Sequence, residues 1–138
     1  MRVVSTLFCE KVLKLQSGLS QLIGVFPGRI NCLPGPAGSC ATMDVQIMIE
    51  HDREEAFGIE IRGCAPDGAV VFLLPMQIAF KDPICWVDIA LHGLMVPLTV
   101  SGRVVIEIHR LGEPWTEAGR LLFDVQPAVA AAPTRLSA

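Results

Sequence analysis

The residues that could bind a metal ion or act as a nucleophile are few and widely spaced. The three histidines, His51, His92 and His109, have neither the H-x-x-x-H nor the H-E-x-x-H spacing that brings two imidazoles to one zinc ion. Cys32 and Cys40 bracket a loop rich in proline and glycine and could form a disulfide or hold a metal with another pair of ligands, but a buried, inert thiol is the commoner role. No neighbouring histidine activates either cysteine. We therefore predict no catalytic residue, no metal-binding residue and no cofactor.

The densest group of acidic residues comprises Glu50, Asp52, Glu54 and Glu55. Converging carboxylates can bind calcium, but the D-x-[DN]-x-[DN]-G spacing of an EF-hand loop is absent, so a solvated turn is the simpler interpretation. The glycines form neither a P-loop nor a G-x-G-x-x-G turn, and no G-x-S-x-G nucleophile elbow occurs. Nothing local predicts phosphate binding or acyl transfer.

Several apolar residues stand where a folded chain could leave them uncovered. Segment 94–98 predicts either an edge strand or an exposed apolar loop, with a loop folded onto the core as the alternative. The first predicted hairpin has apolar side chains on both faces, so it is either central or covered by another chain. Trp115, directly after Pro114, could anchor a contact or plug one end of a sandwich. The candidate interaction residues are Leu22, Ile23, Leu94, Met95, Val96, Leu98 and Trp115.

Alternation of apolar and polar residues predicts the elements that carry these side chains. A period of two is clear at 43–50, 57–62, 104–109 and 121–126, and no helical period is sustained. Turn signals such as the Pro-Asp-Gly at 66–68 separate the strands. About eight or nine short strands predict an all-β fold, most simply an antiparallel β-sandwich.

Two apolar runs, 19–26 and 69–74, lack this alternation. We predict that they are central strands of the sandwich, buried on both faces, and that Pro75 closes the second. Residues 31–40, which are rich in proline and glycine, predict a loop in which the chain could change sheets.

Composition bounds the class of protein. The 138 residues suit one domain, predicted at 1–126, with a disordered tail of small residues at 127–138. Hydrophobic residues make up 51% and charged residues 18%, so apolar surface could remain once the core is filled. The net charge of −3 and the lack of a Lys/Arg cluster disfavour nucleic-acid binding. No apolar run reaches the ~18 residues of a membrane span.

The N-terminus and the cysteines bear on the compartment. The first residues lack the long apolar stretch and the small cleavage-site residues of a signal peptide. Five cysteines without a C-x-x-C pair fit a chain with reduced thiols. We therefore predict a cytoplasmic protein.

Structural motifs at both ends of the predicted domain carry a family likeness. They are LFCE at 7–10 followed by LIGVF at 22–26, and GRVVIEI at 102–108 paired with LLFDV at 121–125. This pattern, which covers most of residues 1–126, resembles a family of small bacterial β-sandwich proteins of unknown function. The resemblance implies an immunoglobulin-like or C2-like sandwich, and it implies no activity and no site residue.

These observations favour a non-enzymatic protein-interaction or assembly module, because apolar residues are in excess and no catalytic constellation is visible. An edge strand could pair with another protein or with a second copy of the chain. Two alternatives stay open. One is a C2-like membrane-surface or calcium-binding domain that uses 50–55 and 94–98, and the other is an enzyme or metal protein whose site is assembled from distant residues.

Overall fold

The computed structural model describes residues 1–32, 40–83, 85–97 and 100–125, and these residues form an all-β chain, as predicted. Within these ranges there is no helix, and hence no helical segment long and apolar enough to cross a membrane. The described strands are β1 (Arg2–Lys14), β2 (Ser20–Val25), β3 (Arg29–Cys32), β4 (Cys40–Glu50), β5 (Glu55–Cys64), β6 (Val70–Phe80), β7 (Trp86–Pro97), β8 (Gly102–Arg110) and β9 (Thr116–Val125).

The described strands form two sheets. The first has the order β2-β1-β4-β7, and the second has the order β3-β9-β8-β5-β6. The strand pairs are antiparallel except for β3 and β9, which run parallel, so the prediction of a purely antiparallel fold is wrong at this pair. The reason is that β3 reaches the second sheet by a crossover rather than by a hairpin, and a crossover can deliver a strand in the same direction as its neighbour.

The chain crosses between the sheets on both sides of β3. It leaves the first sheet after β2, passes Pro27 and Gly28, and enters the second sheet at Arg29. It has returned to the first sheet at Cys40, where β4 begins. The change of sheet that the sequence suggested within 31–40 is thus the second crossing, between Cys32 and Cys40. The first crossing, at Pro27, was not predicted, and it falls at a residue that cannot donate to a strand ladder.

The inner faces of the two sheets share one hydrophobic core. Its centre consists of alternate, mostly β-branched residues from β4, β5 and β8, a residue type that fits a pleated, buried surface. The central core residues, all less than 2% exposed, are Val45, Ile47, Ile49, Ile59, Ile61, Val104, Ile106 and Ile108.

The predicted tail at 127–138 lies outside the described residues.

The two apolar runs predicted as central strands lie at sheet edges instead. Run 69–74 opens β6, the last strand of the second sheet, and run 19–26 contains β2, the last strand of the first sheet. Val70, Leu73 and Leu74 are therefore 53%, 51% and 37% exposed. The central-strand prediction is wrong because an apolar run shows that a strand can be buried on both faces, but not that strands flank it on both sides.

Shortening a central core side chain should cost much more stability than shortening an exposed side chain of the same type. Ile61 is fully buried, whereas Ile23 is 42% exposed. We expect Ile61→Ala to lower the free energy of unfolding by about 2–5 kcal/mol, because the variant loses buried methyl groups and leaves a cavity. We expect Ile23→Ala to lower it by less than about 1 kcal/mol. Urea denaturation followed by circular dichroism measures both values, and equal losses would contradict the assigned core.

Candidate interaction surface

The structure separates the residues of segment 94–98. In β7, Leu94 and Val96 point into the core and are 7% and 2% exposed, whereas Met95 between them is 64% exposed. The described part of the segment is an edge strand, and of these three residues Met95 alone offers apolar surface. Leu98 lies outside the described residues.

The other predicted residues occupy different parts of the molecule. Leu22 is half-buried and Ile23 is exposed on β2, at the edge of the first sheet opposite β7. Trp115 follows β8 in the second sheet. The structure therefore does not bring the described candidates together: Leu94 and Val96 belong to the hydrophobic core, whereas Trp115 lies in a cluster of side chains on the surface.

Four charged side chains form a checkerboard on the outer surface of the second sheet. The strand register places Glu60 of β5 opposite His109 of β8, and Arg62 opposite Glu107. Arg62 Nε lies 2.6 Å from Glu107 Oε2, and His109 Nε2 lies 3.0 Å from Glu60 Oε1. Opposite charges thus alternate along each strand and across the pair. We call these four residues together with Trp115 the Trp115 face.

Trp115 lies against the two cations of the checkerboard. Its ring stacks on the His109 imidazole with a centroid distance of 3.8 Å and an interplanar angle of 22°. The Arg62 Cζ atom lies 4.2 Å from the Trp115 ring centroid, in a cation–π contact. Trp115 is therefore an outer-surface residue of the second sheet and does not plug an end of the fold.

Two acceptors favour the protonated form of His109. Nδ1 lies 2.8 Å from the Glu113 carbonyl oxygen, and Nε2 faces the Glu60 carboxylate. A neutral imidazole has one N–H, so only the imidazolium donates to both acceptors. The Glu113 carbonyl and then the Glu60 carboxylate raise the pKa of His109 above its ordinary value. The checkerboard therefore contains two cations and two anions.

An apolar strip adjoins the Trp115 face along β6. Leu73 pairs with Arg62 in the β5–β6 register and is 51% exposed, and β6 contains no charged residue. The exposed Val70, which pairs with Cys64 on the same outer face, extends the strip. Tryptophan and arginine are residue types that are enriched in binding hot spots, and the aliphatic side chains of β6 add apolar surface beside them.

Pro75 interrupts the free backbone edge of β6. The Gly58 carbonyl accepts a hydrogen bond from Leu111 N–H at 3.1 Å, so the backbone groups of Gly58 and of Glu60, two residues later, face β8. Pro75 pairs with Glu60, and its nitrogen must therefore face away from β5, toward the free edge. β6 thus continues through the proline that was predicted to end it, because an edge strand needs no donor on its outer side.

The other sheet edges are interrupted as well. On β2, Gly24 has φ +66°, and on β7, Gly93 has φ +64° beside a register shift. β3 is only four residues long. Bulges, prolines and short strands hinder the addition of further strands. In the described part of the chain, contact through the sheet surface is therefore favoured over strand addition.

Asp44 ties three strands together from a largely buried position. Its Oδ2 accepts from Val12 N–H of β1 and its Oδ1 from Gly93 N–H of β7, both at 2.9 Å, and His92 Nδ1 lies 2.9 Å from Oδ2. Burial by itself raises the pKa of Asp44, but the Val12 and Gly93 amides and His92 outweigh it and lower the pKa. The carboxylate thus stabilises the bulge that interrupts β7.

The acidic turn after β4 lines an open cavity of about 620 Å³, and two of its four carboxylates are paired with arginines. Glu50 pairs with Arg2, and Glu55 accepts from Arg110 at 2.6 Å and from His51 at 2.8 Å. Arg110 and then His51 lower the pKa of Glu55 to about 2. Within the described ranges, no group of three or more His, Cys, Asp or Glu side chains could hold a metal ion. Glu50 and Glu55 are therefore held in ion pairs rather than free to act as calcium ligands.

The cysteines with described side chains are free thiols without the features of a nucleophile. Burial is the first cause that raises the pKa of Cys9, Cys64 and Cys85, and neighbouring carboxylates raise it further. The Cys64 Sγ atom lies 3.6 Å from Glu107 Oε2. These environments favour the neutral thiol over the reactive thiolate.

No protein-family model matches this chain, and the search of curated proteins gives no match. The resemblance to small β-sandwich proteins remains a prediction, and the functional argument depends on the geometry of the site.

The sequence analysis named Trp115 but missed the charged residues beside it. A signal was present, because the outward residues of β5 and β8 alternate in charge. Which charges face each other depends on the register between the strands, and sequence spacing alone does not supply the register.

Removing the Asp44 carboxylate should destabilise the fold. We expect Asp44→Ala to lower the free energy of unfolding by about 2–3 kcal/mol, because the buried Val12 N–H loses its acceptor. Because the pKa of Asp44 is lowered in the fold, its stabilisation is present above about pH 4, the ordinary value for aspartate, and is lost as pH falls through the folded value. Urea denaturation at several pH values measures both effects. Asp52→Asn, whose side chain is 84% exposed, is the control and should change little.

The protonated state of His109 predicts a pH dependence of opposite sign. Its raised pKa means that the stabilisation is fully present below about pH 6.5, the ordinary value for histidine, and is lost as pH rises through the folded value. We expect the difference in unfolding free energy between the wild type and His109→Gln to shrink from mildly acidic to alkaline pH. Urea denaturation over this pH series measures the difference. A difference that grows with pH would contradict the assigned imidazolium.

Proposed function

We propose that the chain is a non-enzymatic protein-interaction or assembly module, built as a β-sandwich of the immunoglobulin-like or C2-like kind. Its contact surface is the Trp115 face together with the apolar strip of β6. The shared core of the two sheets supports the sandwich arrangement. One arrangement carries the proposal. Trp115 stacks on His109 and contacts Arg62, and Arg62 in turn pairs with the half-exposed Leu73 in the β5–β6 register.

The energetics of the surface fit a binding role. Charged groups that are already paired need no new partner when they are covered, so covering the Trp115 face leaves few unsatisfied charges. The exposed aliphatic side chains of β6 supply the hydrophobic gain, and Trp115 supplies a large, rigid contact area. The apolar run in β6 therefore serves contact with a partner, in place of the central position in the sheet that its composition suggested.

The proposal includes a reducing, cytoplasmic setting. The free thiols of Cys9, Cys64 and Cys85 support it, because an oxidising compartment favours paired cysteines. The arginine partners of Glu50 and Glu55 leave the acidic turn with little capacity for calcium, so the calcium-dependent alternative gains no support from the geometry.

Site-specific photo-crosslinking tests the proposed surface. A photoreactive phenylalanine analogue is placed at Leu73, and in a control chain at Leu19, which is 66% exposed on the turn beside β2. In the cells that make the protein, we expect a defined protein adduct, with another protein or with a second copy, from position 73 and none from position 19. Equal labelling from both positions, or none from either, would contradict the proposed function.

A further inference from the structure

The checkerboard on the Trp115 face is complementary to its own copy. Consider two copies placed face to face about a two-fold axis that runs along the strands, midway between β5 and β8. Each residue then faces the cross-strand neighbour of the other copy, so that Glu60 meets His109 and Arg62 meets Glu107. Every facing pair joins opposite charges.

A two-fold axis across the strands gives the same complementarity. Glu60 of one copy then faces Arg62 of the other, and Glu107 faces His109. Alternation in both directions is what makes the pattern match itself about either axis, whereas a face with a single sign of charge would repel its copy. A strongly acidic or basic partner would instead meet like charges at half of the positions.

The apolar residues beside the checkerboard also fit a second copy of the chain. About the axis across the strands, β6 of one copy lies against β6 of the other, so Leu73 and Val70 meet a strand without charged residues. The interrupted sheet edges, including Pro75 in β6, hinder open-ended strand addition, so a face-to-face contact closes at two copies.

We propose that the Trp115 face binds a second copy of this chain about the two-fold axis that runs across the strands, with Trp115 and Leu73 as apolar anchors around the charge checkerboard. This inference depends on the proposed function, since it names the partner of the same surface. The result is a symmetric dimer in which each chain contributes the same residues.

Light scattering coupled to size exclusion tests the dimer. We expect wild type to have about twice the 14.9 kDa mass of one chain and Leu73→Lys to be a monomer. Leu19→Lys, the same substitution at an exposed leucine far from the face, is expected to remain a dimer. Circular dichroism and urea denaturation confirm that each variant is folded. A dimer that survives Leu73→Lys, or that is lost equally in Leu19→Lys, would overturn the proposal.

A double variant tests the charge pattern independently of the apolar anchors. Glu60→Gln with Glu107→Gln leaves each cation of the checkerboard facing a neutral glutamine and removes every facing pair of opposite charges, and we expect the dissociation constant of the dimer to rise about tenfold or more. Glu10→Gln with Asp52→Asn makes the same change in net charge at exposed positions outside the face, and we expect this control to alter the dissociation constant little. Equal effects of the two double variants would overturn the checkerboard contact.

The two proposals fail in distinguishable ways. A monomeric wild type at every concentration reached, together with an adduct at Leu73 that contains a different protein, would contradict the proposed dimer but support the proposed interaction module. A monomeric wild type without any adduct would overturn both. A wild-type dimer whose adduct at Leu73 joins two copies of the chain would support both.

Discussion

Burial of the isoleucines on the inner faces of β5 and β8 sets the register between these strands, and the outer surface follows from that register. Ile61 lies opposite Ile108, and both are fully buried. A slip of one residue would turn the inner side chains toward solvent and the outer charges into the core, at a large cost in free energy. With the register set, Glu60 must face His109 and Arg62 must face Glu107. The checkerboard is thus a consequence of packing on the opposite face of the same sheet.

The molecule uses ionised groups in two different physical settings. Asp44 is largely buried, so its value to the fold comes from backbone N–H groups that would otherwise lack an acceptor. The charges of the Trp115 face are partly exposed, where a single ion pair contributes little to stability. Their arrangement matters more than their individual strength, because it determines which surface can cover them. A stability measurement therefore reports on Asp44, whereas an association measurement reports on the Trp115 face.

The interrupted edges explain how an apolar chain can expose β6 without open-ended pairing. Exposed apolar edge strands with continuous backbone donors are sites of uncontrolled strand addition. Pro75 removes a donor from the middle of β6, and Gly93 marks a bulge in β7, the strand that ends the other sheet. The exposed side chains of β6 stay available for contact while its backbone is a poor template. The exposed side chains and the interrupted backbone of β6 therefore favour a contact between sheet surfaces that ends at two copies over open-ended strand addition.

The amino-acid sequence by itself determined the all-β class, most strand positions and the inward residues, because a period of two is a local property that each strand carries alone. It also indicated Trp115 as a candidate contact residue. Tertiary structure decided that the runs 19–26 and 69–74 lie at sheet edges, that β3 runs parallel to β9, and which charges meet on the Trp115 face. The physical reason is that strand neighbours and register depend on pairing between distant segments. The free energy of that pairing comes from the shared core of both sheets, which no single segment contains.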